Sequence, residues 1–148
     1  MPRSQALRKG RYSRANLIYV VTTVCAQRRP LFASFHNARL LVQSLREAEV
    51  SATTLCFVVM PDHLHWMLQL KAGAELSATV RFVKATTTRK LRARRPGIGP
   101  VWQRGFHDHA VRREESLRAL ARYIIANPLR AGLASSPAEY SFWDSIWL

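Results

Sequence analysis

The sequence predicts an α+β fold, a ferredoxin-like βαββαβ antiparallel sheet with an additional C-terminal helix, and three observations carry that prediction. Residues 17–25 and 55–70 are apolar runs rich in β-branched and aromatic side chains, whereas residues 35–50 and 76–95 repeat their apolar positions at helical spacing. Pro61-Asp62 interrupts the second run with a turn pair that a central strand does not accept, so that run divides into two strands of a tight hairpin. A last strand and a third apolar-periodic segment follow, the latter ending before Pro128. In that order the elements give one sheet backed by helices on one side, with its other face open to a site.

Each element has a local cause. Leu17 to Cys25 is almost continuously hydrophobic, which predicts a central strand, and Gln27-Arg28-Arg29-Pro30 ends it. Ser34 or Asn37 caps a first helix running to about Val50, with Leu41, Leu45 and Ala48 on its inner face. The hairpin strands are Leu55 to Met60 and His63 to Leu70. Beyond Lys71-Ala72-Gly73, a second helix lines up Leu76, Val80, Val83, Thr87 and Leu91 against the sheet, leaving a basic outer face. Residues 95–100 read as a loop, and Val101 to His109 as a fourth strand in which Gly105 marks a bulge or a close backbone approach. From about Arg113 to Asn127 a third helix buries Leu117, Leu120, Ala121 and Ile124.

The 148 residues, 48% of them hydrophobic, suffice for one domain with its own core: a basic arm over 1–16, the folded body, and an aromatic tail over 134–148. Cys25 and Cys56 lie among apolar residues and read as core side chains. No signal-peptide core or membrane-length apolar run is present, so a cytoplasmic protein with no membrane partner is expected.

Charge points to the partner. Lys and Arg number 23 against 9 Asp and Glu, a net charge of +14, and such an excess is commonly balanced by a polyanion. Two acid-free windows hold 12 of the 23 cations: residues 1–14, with Arg8, Lys9, Arg11 and Arg14, and residues 81–95, with Arg81, Lys84, Arg89 and Lys90. A merely solvated face would normally interleave acids for i,i+4 pairs, so these clusters are expected to contact nucleic-acid phosphates. Arg104 and Arg112 suit the same role.

Chemistry centres on residues 58–70. Alternation along a strand puts His63, His65, Met67 and Gln69 on one face and Leu64, Trp66, Leu68 and Leu70 on the other, so the two imidazoles stand side by side as a candidate metal pair. In the third helix Tyr123 and Asn127 fall one turn apart on the flank of the buried stripe, offering a nucleophilic phenol and a ligating amide oxygen. Taken singly these are a packed ring and a helix-end residue; together they can address one phosphate. His107 and His109 form a rival pair, read as DNA-facing or structural because the strand ends near them.

Pro61-Asp62-His63-Leu64-His65, residues 102–109 (WQRGFHDH) and residues 123–133 (YIIANPLRAGL) together resemble the signature blocks of the REP-associated tyrosine transposases, a branch of the single-tyrosine HUH transposases. The likeness spans nearly the whole chain in the expected order. It implies a ferredoxin-like endonuclease and strand transferase acting on single-stranded DNA hairpins formed by repetitive extragenic palindromes, with His63, His65 and Asn127 as metal ligands and Tyr123 as nucleophile. It further implies that the basic arm helps to read a guide sequence beside the stem, that the cation is Mg²⁺ or Mn²⁺, and that a bacterial, nucleoid-associated location is natural. Two other classes fit the same charge: a hairpin-binding protein without catalysis, and a metal-dependent RNA nuclease. Whether the protein is a monomer or a homodimer is left open.

Overall fold

The structure is a computed structural model that describes residues 17–112 and 116–147. Arg8, Lys9, Arg11 and Arg14 of the expected DNA-binding arm therefore lie outside the described residues. In chain order the elements are β1 (Ile18–Val24), α1 (Phe35–Glu47), β2 (Ala52–Met60), β3 (His63–Leu70), α2 (Leu76–Arg94), β4 (His107–Ala110), α3 (Leu117–Ile125), α4 (Asn127–Arg130) and β5 (Trp143–Ser145). The sheet order is β4-β1-β3-β2-β5 and every pairing is antiparallel. Its first four members form the ferredoxin-like arrangement predicted from the sequence. The fifth is an addition from the aromatic tail.

One face carries the main core. Tyr19, Val21, Phe57, Val59, Leu64, Trp66, Leu68 and Leu70 of the sheet pack against Leu41 and Leu45 of α1 and Leu76, Val80, Val83 and Leu91 of α2. Trp66 is fully buried, and its indole Nε1 donates to Thr54 Oγ1 at 3.0 Å, so burial and hydrogen bonding fix β3 in one register. Ser34 is the cap of α1, its hydroxyl accepting from the Asn37 backbone N–H at 3.3 Å, while the Asn37 amide instead donates to Leu31 O. Both thiols are buried and pushed up to about 12 by that burial, as inert core side chains should be.

The second face is not wholly open, as the sequence had suggested. Leu55, Cys56, Val58, Met60 and Met67 form a smaller core there with Ala121 and Ile124 of α3, flanked by Leu117, Leu120 and Tyr140. The helix thus lies across the β2 side of this face, and the two layers sandwich the sheet.

Several boundaries also differ from the sequence reading: β2 starts at Ala52 rather than Leu55, α1 ends at Glu47 rather than near Val50, and the fourth strand and third helix shift further. The fourth strand spans only His107–Ala110, with an isolated bridge pairing Trp102 to Cys25. Gly105 turns the intervening chain at φ +69°, and the Lys84 ammonium holds the carbonyls of Gln103 and Gly105 at 2.9 and 2.6 Å, so those carbonyls are spent away from β1 while the Gln103 N–H still bonds Val24 O at 2.9 Å. The third helix begins at Leu117, capped by Ser116 through the Ala119 N–H, and ends at Ile125. Asn127 opens a separate short helix because Pro128, which ends one helix by restricting its predecessor, is well suited to the first turn of the next. Among the described residues no helix is long and apolar enough to cross a membrane.

Candidate active site

The register of β3 turns His63 and His65 onto the second face, beside Thr22 and Val24 of β1. Their rings meet edge to face with centroids 4.7 Å apart, and the two Nε2 atoms are 3.2 Å from each other. Each ring is anchored from behind. His63 Nδ1 lies 2.7 Å from Asp62 Oδ1, and His65 Nδ1 lies 2.9 Å from Thr22 Oγ1. Two nitrogen ligands at about 2.1 Å from a cation and roughly at right angles stand about 3 Å apart, so the observed spacing suits a shared metal. The anchored Nδ1 atoms are the outer-sphere contacts that fix tautomer and ring direction at such sites.

The loop before α1 supports this arrangement. Arg28 Nη1 reaches Asp62 Oδ2 at 3.0 Å, and Asp62 O accepts from the Cys25 N–H at 2.8 Å. Burial pushes the Asp62 carboxyl up, but hydrogen bonds and charge from His63 and Arg28 outweigh it and hold the acid below its ordinary range. Gln27 and Arg28 adopt left-handed φ of +55° and +51°, a conformation that costs non-glycine residues about 1–2 kcal/mol each. That strain delivers the Arg28 side chain to the hairpin turn. His65 is lowered to about 4, first by burial and then by the positive charges of His63 and Arg130, so at neutral pH its ring is uncharged and competent to ligate.

In the sequence Asp62 reads as a turn residue and a member of the Pro61–His65 block, and Thr22 carries no functional reading. The signal for Thr22 is visible only in the sheet register, which sets it opposite His65. Should the imidazole pair hold Mn²⁺, substituting Thr22→Val or Asp62→Asn is expected to weaken that affinity by about 10- to 100-fold, the usual effect of losing an outer-sphere partner. Titration calorimetry of the variants with Mn²⁺ checks this; wild-type affinity in both would leave the anchoring contacts without a role.

The helix pair on the same face supplies the other candidate residues. Of the four tyrosines, Tyr12 lies outside the described residues, Tyr19 is fully buried, and Tyr140 donates its hydroxyl to Val59 O at 2.6 Å. Tyr123 alone of the described three is exposed, at 64%. Asn127 Nδ2 donates to Ile124 O at 2.8 Å, which fixes the amide and leaves Oδ1 as the end available to a cation. Among the described residues no third His, Cys, Asp or Glu joins the imidazole pair, so an amide, phosphate oxygens and water are what remain to complete a coordination sphere.

The expected DNA-binding residues divide between the two faces. His107 and His109 pair with Thr22 and Val20, so they project from exposed positions of the edge strand on the histidine face. Arg104 and Arg112, at either end of that strand, are exposed. Arg81, Lys84, Arg89 and Lys90 belong to α2, which covers the opposite face. There Lys84 is half-buried on its two carbonyls, and Lys90 is paired with Glu47 at 2.5 Å. A groove of about 780 Å³ opens elsewhere, between α1 and β5, and none of the candidate catalytic or metal-ligating residues lines it.

Residues 13–127 match the family model described as Transposase IS200 like. The chain is 27% identical over 112 residues to the REP-associated tyrosine transposase of Escherichia coli (strain K12), across 75% of this chain and 62% of that protein. It is 32% identical over 95 residues to an uncharacterized Haemophilus influenzae protein, across 49% of this chain and 52% of that one. The chain thus spans less than two thirds of either relative's length. A REP-associated tyrosine transposase solved bound to a REP hairpin superposes with a TM-score of 0.72 at 23% identity, covering 90% of this chain and 79% of that one, which shows a shared fold.

Proposed function

Because the chain belongs to the IS200-like transposase family, we propose that it is a metal-dependent endonuclease and strand transferase acting on single-stranded DNA hairpins of the REP type through a 5′-phosphotyrosine on Tyr123. The observation that carries this reading is the convergence of His63 Nε2 and His65 Nε2 at 3.2 Å with both Nδ1 atoms engaged. The hairpin named with the solved relative, and the transposase activity named for the Escherichia coli relative, support the choice of substrate and reaction.

His63, His65 and the Asn127 amide oxygen would hold Mg²⁺ or Mn²⁺, and their mixed nitrogen and oxygen character suits Mn²⁺ somewhat better. Such a cation, when bound, draws charge from the scissile phosphate and favours loss of the phenolic proton. Tyr123 Oη attacks phosphorus, the bond from phosphorus to the 3′ oxygen breaks, and the departing strand takes up a proton as a 3′-hydroxyl. A second 3′-hydroxyl then attacks the phosphotyrosine and releases the phenol. One phosphodiester is exchanged for another, so the step is strand transfer and consumes no water. Arg104, His107, His109 and Arg112 are assigned to the DNA near the site because they share its side of the sheet or flank it. On the opposite layer Arg81 and Arg89 are assigned to a more distant part of the hairpin, whereas Lys84 and Lys90 already hold protein groups. Arg8, Lys9, Arg11 and Arg14 keep the guide-reading role proposed for the basic arm.

Incubation with hairpin oligonucleotides and Mn²⁺ or Mg²⁺, followed by denaturing electrophoresis, tests the reading. A covalent adduct that forms with DNA, fails with chelator and is weaker with the RNA equivalent is expected. Absence of adduct under either metal returns the protein to a non-catalytic hairpin binder, and preference for RNA to the nuclease class. Binding should also weaken steeply with salt through counterion release: a protein contacting six to ten phosphates loses about 10³- to 10⁵-fold between about 50 and 200 mM.

A further inference from the structure

Tyr123 poses a problem that its own helix does not solve. At 64% exposure the ring has few neighbours to hold it, yet attack in line on a phosphodiester needs the phenolic oxygen within a few tenths of an ångström of one place. It also sits near the end of α3, where the Ala126 N–H closes on Arg122 O and Ile124 O and the Tyr123 carbonyl is taken by a side chain from beyond the helix.

Arg130 is that side chain. Its Nη2 donates to the Tyr123 carbonyl at 2.7 Å, and its guanidinium carbon lies 3.8 Å from the centroid of the Tyr123 ring, at stacking distance. The neighbouring carbonyl, Ile124 O, also accepts from the Asn127 amide. So the end of α3 is closed by two side chains of α4, one that we assign to the metal and one that grips the tyrosine. We propose that Arg130 is a positioning residue for the nucleophile, clamping the Tyr123 backbone and ring face together so that the phenol is presented in one orientation. The arrangement uses properties specific to arginine: a planar cation stacks on the ring while an N–H in its own plane reaches the carbonyl, and an ammonium cannot do both.

This inference rests on the proposed function, and its test separates the two. Arg130→Gln and Arg130→Lys are compared with wild type in three measurements: single-turnover adduct formation on a hairpin oligonucleotide with Mn²⁺, hairpin affinity without metal, and the ¹⁹F line of fluorotyrosine incorporated at Tyr123. Arg130→Gln is expected to slow adduct formation by about 10- to 100-fold with affinity within about twofold, to broaden or split the ¹⁹F line, and to be partly rescued by millimolar guanidinium ion. Arg130→Lys should recover only a small part of the rate. A merely structural cap would lower melting temperature without changing the ratio of rate to affinity and without guanidinium rescue. An unchanged ¹⁹F line together with an adduct rate within twofold of wild type overturns the proposal. If wild-type protein forms no adduct at all, the parent reading falls while the ¹⁹F comparison still decides the clamp.

Discussion

Replacing Tyr123 by Phe is expected to remove the covalent adduct, by at least about 10³-fold in rate, while hairpin affinity stays within about twofold of wild type. The size of the effect follows from chemistry: without the phenolic oxygen there is no atom to bond to phosphorus. Its selectivity follows from position. Tyr123 is exposed, and a phenyl ring keeps the face on which the Arg130 guanidinium stacks, so folding free energy should move by no more than about 0.5 kcal/mol. The other tyrosines offer no ready substitute among the described residues. Tyr19 is sealed in the main core, and the Tyr140 hydroxyl is spent on Val59 O with its ionisation pushed up by burial. Gel retention of a labelled hairpin under denaturing conditions reads the adduct, and anisotropy reads affinity. An adduct within tenfold of wild type would move the nucleophile elsewhere.

Where the chain's own pattern decided structure, the sequence was a good guide. Pro61-Asp62 marks the hairpin because proline cannot donate to a ladder, and the alternation of residues 63–70 sets Leu64, Trp66, Leu68 and Leu70 into the main core and the histidines on the other face. What was not legible depends on contacts between distant segments. The fourth strand shortens because Lys84, from α2, captures two carbonyls that an isolated strand pattern would spend on β1. That capture also takes Lys84 from a basic cluster that charge counting alone would present to DNA. Likewise the tail reads as merely aromatic, yet Trp143–Ser145 completes the sheet beside β2. At the site, His63 and His65 announce themselves by spacing, whereas Thr22, Arg28 and Arg130 act through geometry that only the folded chain supplies. Asn127 reads from helical spacing as a ligating amide one turn beyond Tyr123, a role the resemblance also implies; only the folded chain shows its amide donating to Ile124 O.

Exchanging His63 or His65 for Ala is expected to lower Mn²⁺ affinity by more than the roughly 100-fold upper range for an outer-sphere contact, and with it to suppress adduct formation. One imidazole cannot replace two, because the proposed site would use both nitrogens, which stand 3.2 Å apart and are held from opposite anchors. The same pair makes a prediction that needs no metal. His65 carries a pKa near 4 in the folded protein, against an ordinary value near 6.5, so between those pH values the unfolded chain binds a proton that the folded chain refuses. Stability therefore rises with pH across that window and is lost as pH falls from about 6.5 toward 4. At about 1.4 kcal/mol per pH unit the ceiling is about 3 kcal/mol, reduced in practice because the ring is only partly buried. Chemical denaturation of metal-free protein at pH 7 and pH 4.5 should show this loss, and His65→Gln, which has no imidazole to protonate, should show less of it. Equal slopes in the two proteins would mean that the imidazole of His65 is not held neutral by its burial and its charged neighbours.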